Sequence, residues 1–244
     1  MERSRARRLG VKAVICALGL VSPVRASDDR VPEAARLELP ASAGFAGAVV
    51  YRARSSGARP LTVLLHGMCG DAARTCSYFA AQVTEGANLV CPRASLRCAG
   101  GGASFPEPGV EQAVELAVTR AKSVLGEVDE SQGRTLIGYS LGAFRALSVA
   151  QSSAGRYPRV MLIGAKVALA PAKLEQDGVQ RLLLCAGRWD MMHDHMQREA
   201  AHVRRAGLAA RFLDLGPVGH GLSESLGDYL PQALVWLQSS RAAE

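Results

Sequence analysis

The sequence lacks the patterns that mark several common protein classes. None of its six cysteines forms a C-x-x-C pair, which argues against a zinc site or a thioredoxin-like redox motif. No internal repeat or interdomain linker divides the 244 residues, and the glycines of "CAGGGASFPEPG" do not form a phosphate-binding fingerprint. Hydrophobic residues make up 48% and charged residues 21%, which excludes a disordered chain and fits one globular enzyme domain.

Outside the N-terminus the net positive charge is small. The chain carries 29 basic and 22 acidic residues, but six of the basic residues and one acidic residue lie in the first 26 positions. The net charge of +7 therefore falls to +2 for the remainder. This remainder has no basic stripe with interleaved aromatic residues, so we expect no nucleic-acid partner.

The first 26 residues, "MERSRARRLGVKAVICALGLVSPVRA", predict a secretory signal peptide. An arginine-rich start precedes an apolar stretch from Val11 to about Val24, and Val24-Arg25-Ala26 provides a cleavage site. The stretch is too short for a spanning helix, and the alternative is an N-terminal amphipathic helix. We expect an exported protein, periplasmic or extracellular, with residues 27–244 as a single domain and no stable membrane insertion after removal of the signal.

Four cysteines lie within thirty residues of one another: Cys69, Cys76, Cys91 and Cys98. In an oxidising compartment, the simplest outcome is two disulfides. Cys185 stands apart inside an apolar run. We expect it to be a buried thiol that packs as a small hydrophobic residue.

Apolar runs alternate with segments of helical periodicity along the chain. Short runs predict strands at 61–67, 88–94, 134–140, 159–165, 181–187 and 210–216. Helical spacing predicts helices at 72–83, 110–125, 141–153, 194–207 and 226–240. The strands are apolar on both faces, which indicates a mostly parallel sheet with helices on both sides, an α/β fold.

The segment "LIGYSLGAF" (137–145) contains the first candidate for chemistry. Residues 138–142 have the form G-x-S-x-G between a predicted strand and a predicted helix. Such a turn exposes the serine hydroxyl, and the following helix points free N–H groups at the reacting oxygen. We interpret Ser140 as a nucleophile; the alternative is a plain turn from strand to helix.

A serine nucleophile needs a base, and the base needs an orienting carboxylate. His220 lies in the glycine-rich loop "LGPVGHGLSES", between the last strand and the last helix. Asp190 ends "GRWD", directly after a predicted strand. Asp194 is the main alternative acid, although it should lie in the first turn of a helix. The two remaining alternatives, Asp177 before a strand and Asp214 at the end of one, are less well placed.

Together these motifs resemble the α/β-hydrolase superfamily over residues 45–240. "HGMCG" (66–70) resembles its oxyanion loop, "GYSLG" its nucleophile elbow, "GRWD" its acid turn and "GHG" its histidine loop, in the order of the family. The resemblance implies the catalytic residues Ser140, Asp190 and His220, and no cofactor. It also implies that the backbone N–H groups of Met68 and Leu141 form the oxyanion hole, and that His66 braces the loop without reacting.

The leader and the cysteine-rich loops resemble secreted esterases of the polyhydroxybutyrate-depolymerase and feruloyl-esterase kind. The layout of the family implies that the four clustered cysteines meet at one rim, and we expect the local pairs Cys69–Cys76 and Cys91–Cys98 over the other two pairings. The short connection between the strands at 159–165 and 181–187 leaves no room for a large cap. We therefore expect an open site and a small-molecule or polymer ester as substrate. The alternatives are a peptidase or amidase with the same triad, and a silent binding domain that kept the fold.

The region after residue 187 also contains a cluster of aspartates and histidines. Asp190, His193, Asp194, His195 and His202 lie close together in sequence and suggest a metal site. On a helix, however, His193 and His195 point about 200° apart and cannot converge. His195 and His202 share a face without a third ligand, so we interpret the cluster as the polar start and solvated face of a helix, with no metal.

Overall fold

The computed structural model describes residues 35–223 and 225–239, so the predicted signal peptide and the start of the predicted domain lie outside the described residues. The described part contains ten strands and six helices. In chain order they are β1 (Arg36–Leu39), β2 (Ala48–Tyr51), β3 (Leu61–Leu65), α1 (Ala72–Val83), β4 (Asn88–Pro92), β5 (Leu96–Arg97), β6 (Ala103–Ser104), α2 (Val110–Leu125), β7 (Thr135–Tyr139), α3 (Leu141–Ser152), β8 (Arg159–Ile163), α4 (Pro171–Gln176), β9 (Arg181–Ala186), α5 (His193–Arg205), β10 (Ala209–Asp214) and α6 (Leu226–Gln238).

Eight of these strands form one sheet in the order β1-β2-β4-β3-β7-β8-β9-β10. All neighbours from β4 to β10 in this order are parallel, whereas β1 and β2 extend the sheet with antiparallel pairings. β5 and β6 form a separate antiparallel hairpin between β4 and α2. The predicted α/β fold with a mostly parallel central sheet is confirmed.

Two apolar cores lie on opposite faces of the sheet, because successive side chains of a buried strand point to opposite sides. On β8, Val160 and Leu162 pack into one core, while Met161 and Ile163 pack into the other. Helices α2, α3 and α5 contribute to the first core, and helices α1 and α6 to the second. Within the described ranges, no helix is both long enough and apolar enough to cross a bilayer.

The elements that the sequence analysis missed are short and depend on distant partners. β1 and β2 pair with each other and then with β4, which lies about forty residues further along the chain. The β5–β6 hairpin has only two residues in each strand. Helix α4 spans six residues in the connection between β8 and β9, so no large cap domain is inserted there, as predicted.

The disulfide pairing differs from the expected one. Cys76 on α1 is bonded to Cys91 on β4, and Cys69 is bonded to Cys98. The expected pairs Cys69–Cys76 and Cys91–Cys98 are therefore wrong. The physical reason is the start of α1 at Ala72, which turns Cys76 inward onto the sheet beneath the helix and leaves Cys69 at the rim.

The remaining cysteine of the described part is a free thiol. Cys185 lies on β9 in the core between the sheet and helices α1 and α6, and it is completely buried. Burial in this apolar environment raises the pKa of the Cys185 thiol. It therefore packs as a small apolar side chain, as expected from the sequence.

Peptide mapping without reduction tests the pairing. Trypsin alone leaves Cys76 and Cys91 in one peptide, so a second cut by a glutamate-specific protease after Glu85 is required. We expect crosslinked peptides that join Cys69 to Cys98 and Cys76 to Cys91, with Cys185 alkylated only after unfolding. A Cys69–Cys76 crosslink, or four free thiols, would contradict the structure.

Candidate active site

Ser140 occupies the turn between β7 and α3. Its backbone has φ 54° and ψ −119°, in a region that costs a residue other than glycine about 1–3 kcal/mol. The Ser140 N–H donates to the carbonyl of Ile163 at 2.8 Å, and the Ser140 carbonyl accepts from the N–H of Ala143 at 2.9 Å. The neighbouring strand and the helix therefore both fix this strained turn.

Gly142 allows the helix after the turn to lie close to the neighbouring strand. A Cβ atom on this residue would lie 2.6 Å from the carbonyl oxygen of His66 and would also overlap the carbonyl of Leu65. No side chain fits in this space. The second glycine of the G-x-S-x-G motif is therefore required for the packing of α3 against the end of β3.

His220 lies between Ser140 and Asp190. Its Nε2 atom is 2.9 Å from Ser140 Oγ, and its Nδ1 atom is 2.9 Å from Asp190 Oδ2. A proton on Nδ1, donated to the carboxylate, leaves Nε2 free to accept the hydrogen bond of the serine hydroxyl. The structure thus brings together the three side chains that the sequence analysis selected.

Asp190 is held rigidly in the turn after β9. Its side chain is only 3% exposed. While Oδ2 faces His220, Oδ1 accepts a hydrogen bond from the N–H of Met192 at 2.9 Å. The Asp190 N–H donates to the carbonyl of Gly187 at 3.0 Å. Both carboxylate oxygens therefore have partners, and the orientation of the carboxylate toward the imidazole is fixed.

The other aspartates considered in the sequence analysis lie elsewhere. Asp194 is in the first turn of α5, exposed, and contacts His193 Nδ1 at 3.0 Å. Asp214 ends β10 and accepts from Arg188 at 2.8 Å. Asp177 follows α4 and precedes β9, at the opposite end of the sheet from Ser140. None of the three contacts His220 in the described part of the chain.

Tyr139 supports the histidine loop, a contact that the sequence analysis did not predict. Its hydroxyl donates to the carbonyl of His220 at 3.3 Å, and its ring stacks on the imidazole with centroids 5.6 Å apart. Burial raises the pKa of Tyr139, and the negative charge of Asp190 raises it further. The hydroxyl therefore stays protonated and acts as a donor. Tyr139 occupies the first x position of the G-x-S-x-G motif, so the motif does not predict this contact.

The "HGMCG" loop after β3 lies beside the serine turn. A Cβ atom on Gly67 would lie 3.2 Å from Ser140 Cβ. His66 is buried with Nδ1 2.9 Å from the carbonyl oxygen of Gly67, and its ring packs on Phe105 with centroids 4.7 Å apart. Burial lowers the pKa of His66, so the neutral ring donates its Nδ1 proton to this carbonyl. These contacts place His66 where it can brace the loop.

Met68 and Leu141 provide free backbone donors next to Gly67 and Ser140. Leu141 is the first residue of α3, where N–H groups have no partner within the helix. Among the described residues, neither the Met68 N–H nor the Leu141 N–H has a hydrogen-bond acceptor. Leu141 directly follows Ser140, and Met68 directly follows Gly67, which lies against Ser140, so both free donors are near the serine turn.

The cluster considered as a metal site is dispersed in the structure. His195 Nε2 is 2.6 Å from the carbonyl oxygen of Val167, and His193 Nδ1 contacts Asp194. Asp190 instead faces His220. In residues 35–223 and 225–239, no group of three His, Cys, Asp or Glu side chains is arranged to hold a metal ion.

Solved structures match this architecture. The chain is similar to FphF, a fluorophosphonate-binding serine hydrolase of Staphylococcus aureus, with a TM-score of 0.63 and 13% identity over 85% of this chain and 100% of that chain. It is also similar to esterase PE8, with a TM-score of 0.58 and 20% identity over 77% of this chain and 97% of that chain.

A third likeness is to acyl-protein thioesterase 2 of Zea mays, with a TM-score of 0.55 and 19% identity over 79% of this chain and 99% of that chain. The chain has the α/β-hydrolase fold. At these identities the likeness shows the α/β-hydrolase fold alone, and the comparisons with family models and with curated proteins find no match.

His66 should make the stability of this fold depend on pH. The buried ring resists protonation, whereas in the unfolded chain it binds a proton near its ordinary pKa of about 6.5. Below that pH the unfolded state binds more protons, so the free energy of unfolding should fall as the pH is lowered from about 7.5 to about 5. Urea unfolding at the two pH values measures this change.

The variant H66N separates this titration from other effects. Its amide retains a donor for the Gly67 carbonyl but has no titrating ring, so the stability difference between the two pH values should shrink. The control is H202Q, on the exposed face of α5, which should leave that difference as in the wild type. If the free energy of unfolding depends on pH as strongly in H66N as in the wild type, the dependence does not come from the His66 ring.

Proposed function

We propose that the chain is a serine hydrolase that cleaves carboxylic esters through an acyl-enzyme. The observation that carries the proposal is the pair of 2.9 Å contacts that link Ser140 Oγ to His220 and His220 to Asp190. The strained backbone of Ser140 and the free donors of Met68 and Leu141 support it independently. The hydrolases among the similar structures are consistent with it.

In the acylation step, Ser140 Oγ attacks the ester carbonyl while His220 Nε2 removes the serine proton. Asp190 keeps the second imidazole proton on Nδ1 and stabilises the imidazolium that forms. His220 then donates the Nε2 proton to the departing alcohol. The 2.9 Å contact between Ser140 Oγ and His220 Nε2 allows the first proton transfer without movement of the histidine loop.

The negative charge that develops on the carbonyl oxygen is stabilised by the N–H groups of Met68 and Leu141. The N-terminus of α3 adds the positive end of the helix dipole at the same point. In the second step, His220 activates a water molecule that attacks the acyl-enzyme. The same oxyanion donors then stabilise the second tetrahedral intermediate. When it collapses, the bond between the acyl carbon and Ser140 Oγ breaks, His220 returns the proton to Oγ, and the carboxylic acid leaves.

The surroundings of the site support an ester with apolar groups. The side chain of His220 is 43% exposed, and in the part of the chain that the structure describes no large cap domain is inserted between β8 and β9. Four exposed large apolar residues are also close in sequence to the site residues: Met68, Phe144, Trp189 and Met191. An open site with such residues nearby in the chain suits a small-molecule ester or an accessible part of a polymer ester.

Export is part of the proposal. Two disulfides within the described residues support an oxidising compartment, periplasmic or extracellular. The predicted signal peptide at residues 1–26 is the second argument, and it rests on the sequence alone. The narrower likeness to polyhydroxybutyrate depolymerases and feruloyl esterases stays a prediction.

Replacement of the nucleophile tests the reaction. S140A should lower kcat for 4-nitrophenyl butyrate on the order of 10⁴- to 10⁶-fold while the circular dichroism spectrum is retained, because the covalent step is lost. S152A, the same change at the exposed C-terminal end of α3, is the control and should keep full activity. The corresponding 4-nitroanilide tests amides, and faster cleavage of the anilide would favour an amidase. Wild-type activity in S140A would refute the proposal.

A second pair of variants tests the acid. D190N keeps the size of the side chain but offers His220 an amide, which favours the wrong tautomer, and should lower kcat roughly 10⁴-fold. D194N removes an exposed carboxylate in the first turn of α5 and should change kcat little. Parallel assays with the same ester decide between them, and the opposite ranking would assign the role to Asp194.

A further inference from the structure

The disulfide Cys69–Cys98 differs from Cys76–Cys91 in its surroundings. Cys76 and Cys91 are completely buried between α1 and β4. Cys69 is exposed, and Cys98 is half-buried. The exposed disulfide thus adds little to the apolar core, although it joins the loop after β3 to the β5–β6 hairpin. Its effect on the folded state is therefore the constraint that it places on this loop.

Cys69 has an unfavourable backbone conformation directly beside a proposed oxyanion donor. Its φ is 50°, and in the described part of the chain only one other residue apart from glycines, Ser140, has a positive φ. Such strain persists only where the surrounding contacts enforce it. One of the two strained residues carries the proposed nucleophile, and the other follows Met68.

The β5–β6 hairpin supplies the contacts that enforce this conformation. The Cys69 N–H donates to Ser104 Oγ on β6 at 2.9 Å. The Ala103 N–H donates to the carbonyl of Gly70 at 3.1 Å. With the covalent bond to Cys98, these contacts attach residues on both sides of the Cys69 carbonyl to the hairpin. The Gly70 N–H in turn donates to the carbonyl of Gly67 at 3.1 Å, and this carbonyl shares its peptide group with the Met68 N–H. The hairpin therefore fixes the donor through Cys69 and Gly70.

We propose that the Cys69–Cys98 disulfide and Ser104 are positioning groups for catalysis, which orient the Met68 N–H toward the oxyanion. This inference rests on the proposed function, in which the Met68 N–H is one of two oxyanion donors. Without the bond, Cys69 relaxes to a negative φ, the hydrogen bond from the Gly70 N–H to the Gly67 carbonyl is lost, and the peptide group that carries the Met68 N–H rotates. The transition state then loses the stabilisation that the Met68 N–H gives to its oxyanion, whereas the binding of the ground-state ester is unchanged.

The double variant C69S/C98S tests the proposal. We expect kcat for 4-nitrophenyl butyrate to fall about 10- to 100-fold and KM to change less than about threefold, because removal of one oxyanion donor costs about 10²- to 10³-fold and misplacement costs less. An arylboronic acid forms a tetrahedral adduct with the serine and places an oxygen in the oxyanion hole, so its inhibition constant should rise in proportion to the fall in kcat.

The matched control is C76A/C91A, which removes the buried disulfide. It should lower the melting temperature more than C69S/C98S does and leave kcat within about threefold when assayed below that temperature, because a lost core contact acts on stability. S104A is the second variant, since it keeps both disulfides and removes the hydroxyl that accepts from the Cys69 N–H and lies 3.7 Å from Cys98 Sγ. It should change kcat and the boronate constant in the same direction as C69S/C98S, by a smaller factor.

The outcomes separate this inference from the proposed function. A wild type that neither cleaves the ester nor binds the boronate refutes the proposed function. An active wild type with unchanged kcat and boronate inhibition in C69S/C98S and S104A leaves the proposed function intact and overturns the positioning role. A rise in KM at constant kcat also overturns it, because the disulfide would then act on substrate binding.

Discussion

The left-handed backbone of Ser140 is the constraint on which the site depends. This conformation costs a serine about 1–3 kcal/mol. The cost is offset by two hydrogen bonds, one from the Ser140 N–H to the carbonyl of Ile163 on β8 and one from the Ala143 N–H on α3 to the Ser140 carbonyl. The turn can form only because Gly142 leaves space for the backbone of His66. This conformation places the Ser140 hydroxyl beyond the end of the sheet, at the N-terminus of α3, where it contacts His220.

The parallel sheet brings the other two site residues to this turn. Ser140 follows β7, Asp190 follows β9 and His220 follows β10, so the order β7-β8-β9-β10 delivers all three to one edge. The strand β8, which lies between β7 and β9, ends at Ile163 and is followed by Gly164 with φ 59°. A Cβ atom there would lie 3.0 Å from Asp190 Oδ2 and 3.2 Å from the His220 ring. A glycine at the end of β8 therefore leaves the space in which the histidine and the aspartate meet.

Much of this arrangement could be predicted from the sequence, because it depends on local patterns. Apolar runs gave the six parallel strands, and helical spacing gave α1 and α2 with the bounds that the structure has. The position of Asp190 directly after a strand separated it from Asp194. The disulfide pairs depend instead on the direction in which α1 turns Cys76, and the contact from Tyr139 to His220 joins residues 81 positions apart. Neither the disulfide pairing nor this contact can be predicted from the spacing of residues in the sequence.

Direct capture of the acyl-enzyme tests the central claim that Ser140 is the nucleophile. The wild-type protein is mixed with 4-nitrophenyl acetate, quenched in acid within milliseconds, digested and mapped by mass spectrometry. The account predicts one acetyl group per chain, on Ser140, formed together with a burst of nitrophenolate. An acetyl group on another residue, or steady hydrolysis without an acylated peptide, would contradict it.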